Sequence, residues 1–433
     1  MSISVEFWIP MSPSEEMVTQ LMVLAASIRL HGGELAANAK IGALVHPDGD
    51  EMPLRKRKKQ LDELGIEVVW VEKKEFERYS YNAAGFGRMR ETFSSDVVVL
   101  LDADTLVAGP LDEIVEACYK EHRLYGLIAN TPPPYWQTDE TSREIWIKLF
   151  AGAGLPEPVF SCEHSGWNRL FFNERDRYCP PYFNFGVVLA PAPVISNIGQ
   201  VINGELNIVN SIYPDAKYFA GQFALALAIQ KLSINYGILD LKYNFPITHK
   251  QFLDVSDQYL KDIRVFHYLG DWEGDLRRGR DFADLTTVGE FIIRCQDSTK
   301  LNSFINALKP VYSRIVYPWL WNGYSVAEKA GLQAGNIANE IIQILDESAS
   351  WACNVTAETK ELKQKCLLLS SRVQELEASS TLFNGERCEL YAQLNALKGS
   401  LSWRITAPVR YVGRILHFAD WMHIYKQFRQ KGE

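Results

Sequence analysis

From Val5 to about Ala129 the chain alternates short apolar runs with segments whose apolar residues recur every three or four positions. Val5 to Ile9, Ile41 to Val45, Glu67 to Val71, Asp96 to Leu101 and Leu124 to Ala129 read as strands. Between the first two, Val18, Leu21, Met22, Ala25 and Ile28 fall on one helical face; Arg55 to Leu64 forms a charged helix, and Pro110 opens another. This βαβ rhythm predicts an α/β domain built on a mostly parallel, Rossmann-like sheet. The run Val97-Val98-Val99-Leu100-Leu101 lacks polar alternation, which suits a strand covered on both faces.

Thr131 to Pro181, rich in Pro, Gly and aromatic residues, interrupts the rhythm, and an insertion over the carboxyl edge of such a sheet shapes a ligand pocket. Tyr182 to Leu189 resumes the pattern. Helices near Ile195 to Val209 and Gln222 to Lys231, with strands near Ile234 to Leu239 and Ile263 to Phe266, complete the same core. Residues 288–345 read as helices, and Tyr317, Trp319 and Trp321 suggest packing on the body or on a partner.

Farther on the period changes. Val355, Leu362, Leu369, Leu376, Phe383, Leu390 and Leu397 recur every seventh residue, with Leu345, Val373, Leu394 and Leu401 at the partner position. A coiled coil, a long helical hairpin or a helix folded back on the domain would each produce this; a coiled coil would join copies of the chain. Ser380, Gly385 and Arg387 weaken the middle. The expected organisation is therefore a sheet domain over 1–285, a helical extension over 286–345, the heptad segment over 346–401 and a tail over 402–433.

A chain of 433 residues with 47% hydrophobic and 12% aromatic residues is a packed globular protein. Its net charge of −8 gives no overall reason to bind nucleic acid. The opening Met1-Ser2-Ile3-Ser4 has neither a basic region nor an apolar core behind it, and no run of eighteen apolar residues follows, so a cytoplasmic chain is expected. Seven scattered cysteines fit reduced thiols. Cys162, His164 and Cys179 lack a fourth spaced zinc ligand and are assigned structural or incidental roles. The tail inverts the charge: Arg410, Arg414, Lys426, Arg429 and Lys431 accompany Leu416, Phe418, Trp421 and Phe428, which suits either peripheral contact with an anionic membrane face or docking on protein.

Asp102-Ala103-Asp104 ends the apolar run, so two carboxylates with one spacer stand where a buried strand emerges, and ligands of open α/β sheets collect there. Hard oxygen donors at that spot suit Mn²⁺ or Mg²⁺, which can bridge a diphosphate. Taken with Phe183-Asn184-Phe185-Gly186 and His267-Tyr268-Leu269-Gly270 downstream, the first 280 residues or so resemble nucleotide-sugar glycosyltransferases of the GT-A fold, especially glycosyltransferase family eight. The resemblance implies that Asp102, Asp104 and His267 hold the metal and that Ala103 and Gly270 line the donor site. It further implies that Arg88 or Arg90 lies against donor phosphate or sugar, that Asn184 and Gln222 serve catalysis beside the transferred sugar, and that Ile9-Pro10-Met11-Ser12 approaches the base. Ser400-Leu401-Ser402-Trp403-Arg404 and the residues after it resemble a terminus of bacterial surface-polysaccharide enzymes.

Two departures stand out. The residue before Gln222 is Gly221, where the family carries Asp, and the Lys expected after Gly270 is missing, leaving Arg277, Arg278 and Arg280 as replacements. The expected activity is sugar transfer from a nucleoside diphosphate, uridine by family habit, to a lipid-linked or polysaccharide acceptor, with retention. The alternatives are a degenerate domain that acts as an assembly platform, and a sugar nucleotidyltransferase, which would need a Gly-rich phosphate loop near the first strand.

Overall fold

The computed structural model describes residues 3–90, 93–170, 173–249, 252, 255–268 and 276–316, nearly all of the fold within the first of two units, Met1–Asp346. In the second, Glu347–Glu433, only scattered helical positions such as Gln364 and Leu368 are described, so the heptad positions Val355, Leu362, Leu369, Leu376, Phe383, Leu390 and Leu397 and the tail lie outside the described residues. In chain order the strands are β1 (Val5–Met11), β2 (Lys40–Val45), β3 (Ile66–Trp70), β4 (Val97–Leu101), β5 (Thr105–Val107), β6 (Leu124–Ile128), β7 (Cys162–Glu163), β8 (Tyr178–Cys179), β9 (Phe183–Pro191), β10 (Tyr236–Ile238), β11 (Phe245–Pro246) and β12 (Val265–His267). Seven of them form the central sheet in the order β10-β6-β9-β4-β1-β2-β3. All neighbours pair in parallel except β9, which runs antiparallel to both β4 and β6. The expected α/β, mostly parallel architecture is therefore what forms. The antiparallel direction of β9 was not legible in its residues.

The apolar run predicted to be covered on both faces occupies the middle of the sheet as β4, and all five of its residues are buried. Its start is fixed by polar ties. Glu6, fully buried on β1, accepts from the backbone N–H groups of Ser94 and Ser95 at 3.0 and 3.2 Å and from Trp8 Nε1 at 3.2 Å, so this buried carboxylate is hydrogen-bonded on both oxygens. Asp96 accepts from the backbone N–H and hydroxyl of Ser4 at 2.9 and 2.7 Å. Register at the entrance of β4 thereby sets where its exit, and the two carboxylates, must lie.

The helix Glu15–His31 covers one face. Ser14 caps it by accepting from the Met17 N–H at 3.3 Å, while Glu15 and Glu16 in the first turn and Arg29 and His31 in the last complement its dipole. Val18, Leu21, Met22, Ala25 and Ile28 are all buried, as their spacing predicts. On the other side the helices Ala192–Ile212 and Ala220–Lys231 pack together over the core around Trp146, Tyr182 and Phe223. The insertion before β9 carries a capped helix, Ser142–Gly152, and the β7–β8 pair. Cys162 and Cys179 face each other across that pair as free buried thiols, and His164 Nδ1 donates to the Ala129 carbonyl at 2.9 Å.

Candidate active site

A second, three-stranded sheet completes the site. β12 pairs antiparallel with β5, which opens one residue after Asp104, and that register sets His267 opposite Thr105. Thr105 Oγ1 donates to the Asp102 carbonyl at 2.7 Å and the Tyr268 N–H to the Asp104 carbonyl at 3.0 Å, closing the turn between β4 and β5. Ala103 is buried at its centre, and its carbonyl accepts from the Tyr268 hydroxyl at 3.4 Å. The β9 strand adds a further tie, since the Asp102 N–H donates to the Gly186 carbonyl at 3.2 Å.

These contacts bring Asp102, Asp104 and His267 together with one donor atom of each within 4.8 Å of the others, the one such cluster of His, Cys, Asp or Glu donors among the described residues. A chain of hydrogen bonds then settles the imidazole. The Gly186 N–H donates to Asn184 Oδ1 at 2.8 Å, so that oxygen is an acceptor; Asn244 Nδ2 donates to the same oxygen at 3.0 Å. Asn244 therefore turns Oδ1 toward His267 Nδ1, 2.8 Å away, and that nitrogen must carry a proton. Nε2 faces Asp104 Oδ1 at 3.2 Å. With Nδ1 protonated, a neutral imidazole offers Nε2 only as an acceptor toward another acceptor, an arrangement satisfied by a cation between them or by a second proton. Two carboxylates and an imidazole oriented from its far nitrogen are a donor set that fits Mn²⁺ or Mg²⁺.

The carboxylates differ electrostatically. Burial opposes ionisation of Asp104, but His267 and Arg278 outweigh it and hold the carboxyl down at about 2. Burial pushes Asp102 upward against the pull of Arg88, with Asp104 adding to the push. Arg88 is buried on the helix Asn82–Arg90, with Nη1 donating to the Leu101 carbonyl at 2.8 Å and Nη2 lying 3.4 Å from Asp102 Oδ1. It thus holds the end of β4 and its first carboxylate. Arg278 Nη1 donates to Asp104 Oδ2 at 2.6 Å.

Gly186 lies where a side chain would overlap His267 Nδ1 and Cε1 and come 2.8 Å from Asn244 Oδ1, so the glycine makes room for the relay itself. Gly221 is similarly enclosed: a Cβ there would lie 3.0 Å from Phe185 Cε2 and 3.1 Å from both Asn82 Oδ1 and Phe86 Cζ. A carboxylate in its place would require those neighbours to shift. Gln222, half-buried, follows it on the helix Ala220–Lys231. The Arg90 side chain and Gly270 lie outside the described residues. Asn244, buried in the turn before β11, is the site residue that sequence reasoning missed; no motif marks it.

The model of the Rhodobacterales glycosyltransferase domain matches residues 11–233, just over half of the chain. The chain belongs to this glycosyltransferase family. It is accordingly an enzyme of glycosyl transfer, and the nucleotidyltransferase alternative falls away. No protein of curated function matches it. Among solved structures, galactosyltransferase LgtC in complex with donor and acceptor sugar analogues is similar at 17% identity over 61% of this chain and 87% of that one, with a TM-score of 0.39. Glycosyltransferase GlyE of Streptococcus pneumoniae shares 17% identity over 62% of this chain and 56% of its own, with a TM-score of 0.37. Mouse xyloside xylosyltransferase 1 shares 12% over 62% and 98%, with a TM-score of 0.38. None is similar enough to carry a residue's role across.

Proposed function

We propose that the protein transfers a sugar from a nucleoside-diphosphate sugar, with uridine as the base, to a lipid-linked or polysaccharide acceptor of surface-glycan assembly. The observation that carries this is the imidazole of His267, fixed by Asn244 with Nε2 turned to Asp104. Asp102, Asp104 and His267 would hold Mn²⁺ or Mg²⁺, and the ion would supply positive charge against the departing diphosphate. Arg88 holds Asp102 in place, and the relay from Gly186 through Asn184 and Asn244 holds the His267 ring with Nε2 turned to the ion's position.

The bond from the anomeric carbon to the phosphate oxygen breaks, its electron pair leaving on the diphosphate. An acceptor hydroxyl then bonds to the same face of that carbon and gives its proton to the departing phosphate, so configuration is retained. Gln222, through its side-chain oxygen, stabilises the developing positive sugar, and the amide NH₂ of Asn184 donates to a sugar oxygen beside it. Incubating the protein with a panel of nucleotide sugars and Mn²⁺, and scoring release of nucleoside diphosphate, tests this directly. Release is expected with one or a few donors and is abolished in Asp102→Ala/Asp104→Ala; equal release by that variant would refute the site.

A further inference from the structure

Arg278, one of the three arginines that could stand in for the missing Lys, is paired with a carboxylate of the metal site. Its Nη1 donates to Asp104 Oδ2 at 2.6 Å, while His267 faces the other oxygen of the same carboxylate. Its Nε lies 3.5 Å from Glu16 Oε1, and Glu16 also accepts from Gln20 Nε2 at 2.9 Å. The guanidinium therefore bridges a carboxylate in the first turn of the helix after β1 to a carboxylate in the turn after β4. Its side chain remains about one-third exposed (36%), so it keeps contact with solvent.

Two positive charges compete for Asp104. A divalent ion held through this carboxylate must sit a few ångströms from the guanidinium, and like charges that share one carboxylate repel with little water between them. A diphosphate reverses the balance, because it brings negative oxygens that the planar donor fork of an arginine fits. Glu16 offers the fork a second anchor while Asp104 changes partner.

We propose that Arg278 is an exchange residue that couples metal and diphosphate binding. It neutralises Asp104 in the metal-free protein, yields that carboxylate to the ion, and moves its donors to the diphosphate oxygens. This rests on the donor-site reading above. The consequence is reciprocal: the ion alone binds weakly, the diphosphate improves its affinity, and the ion improves that of the diphosphate by the same factor.

The test uses the full chain and binding alone. Mn²⁺ affinity without nucleotide is read from the electron-paramagnetic-resonance signal of free Mn²⁺, and UDP and GDP affinities at saturating Mn²⁺ are read by calorimetry. The proteins are the parent, Arg278→Gln, Arg278→Lys and Asp104→Asn. Arg278→Gln is expected to tighten Mn²⁺ alone by about fivefold and to weaken the diphosphate by about tenfold, in line with ordinary coupling factors. Arg278→Lys, which keeps the charge, should recover part of both. The opposite signs matter, because simple damage to the fold would weaken both ligands. If Arg278→Gln weakens both or changes neither, the exchange role is overturned. If the parent binds Mn²⁺ no better than Asp104→Asn, or binds neither nucleotide, the donor-site reading itself fails.

Discussion

Asn244 offers the sharpest test of how this site is held. It is 2% exposed, accepts from His267 Nδ1 at 2.8 Å and donates to Asn184 Oδ1 at 3.0 Å, so Asn244→Ala removes two buried hydrogen bonds at once. Each contributes on the order of 1 kcal/mol, and an imidazole N–H left without a partner adds about 1–3 kcal/mol, giving a loss of stability of roughly 3–5 kcal/mol. The functional effect is separate. Without an acceptor on Nδ1 the imidazole is free to carry its proton on Nε2, which cannot then ligate, and removal of such a supporting partner typically lowers metal affinity about 10–100-fold. Calorimetric titration of Mn²⁺ into the folded variant should show that drop, and nucleotide release should recover as Mn²⁺ is raised. Because Asn184 acts on His267 through Asn244, Asn184→Ala combined with Asn244→Ala should be clearly less than additive. Unchanged Mn²⁺ affinity in a folded Asn244→Ala protein would refute the relay.

Gly186→Ala drives a methyl into His267 Nδ1 and Asn244 Oδ1, and is expected to abolish Mn²⁺ binding and to lower the melting temperature together; a variant with parental Mn²⁺ affinity would show that the ring can move without consequence. Asp281 is buried among Arg280, Arg294 and the Arg277 N–H; burial raises its carboxyl, but these partners pull it below the ordinary carboxylate range. A depressed carboxylate stabilises the fold above its unfolded value near 4 and loses that contribution as pH falls through the folded value. Asp281→Asn should therefore melt lower near neutral pH, by roughly 1–3 kcal/mol, with the gap closing below about pH 4; an equal gap at both pH values would mean that charge is not its source. Flotation with anionic liposomes should retain the full chain and lose a version ending at Leu397, and equal recovery of both in the soluble fraction would count against a membrane role for the basic tail.

The parts of the fold governed by local pattern could be read directly. The unbroken Val97 to Leu101 run announced the buried central strand, and the period of Val18 to Ile28 announced the helix across it. Asp102 and Asp104 followed from their place at the end of that strand. What depends on pairing between distant segments could not be read in this way. The direction of β9 follows from its neighbours rather than its residues, and Asn244 is an ordinary turn asparagine until β11 and β12 carry it beneath His267. Arg88 was expected at the donor, and only the fold shows it buried with its guanidinium on Leu101 and Asp102. Three arginines were candidates after Gly270; only the fold singles out Arg278 as Asp104's partner among them.

The reversed direction of β9 also says where new specificity can be grafted. β6 leaves the sheet at the rim where β4 delivers Asp102, and β9, running the other way, enters the sheet at that same rim beginning with Phe183. Everything between them, residues 129–182, is an excursion whose two ends are planted side by side. Its exposed turns can change in length without re-registering any strand behind it, while Trp146 and Tyr182 keep its base in the core. The scaffold thus separates two jobs: β4, β5, β9 and β12 hold the carboxylates and the imidazole in place, while the exposed turns of one insertion are left to vary.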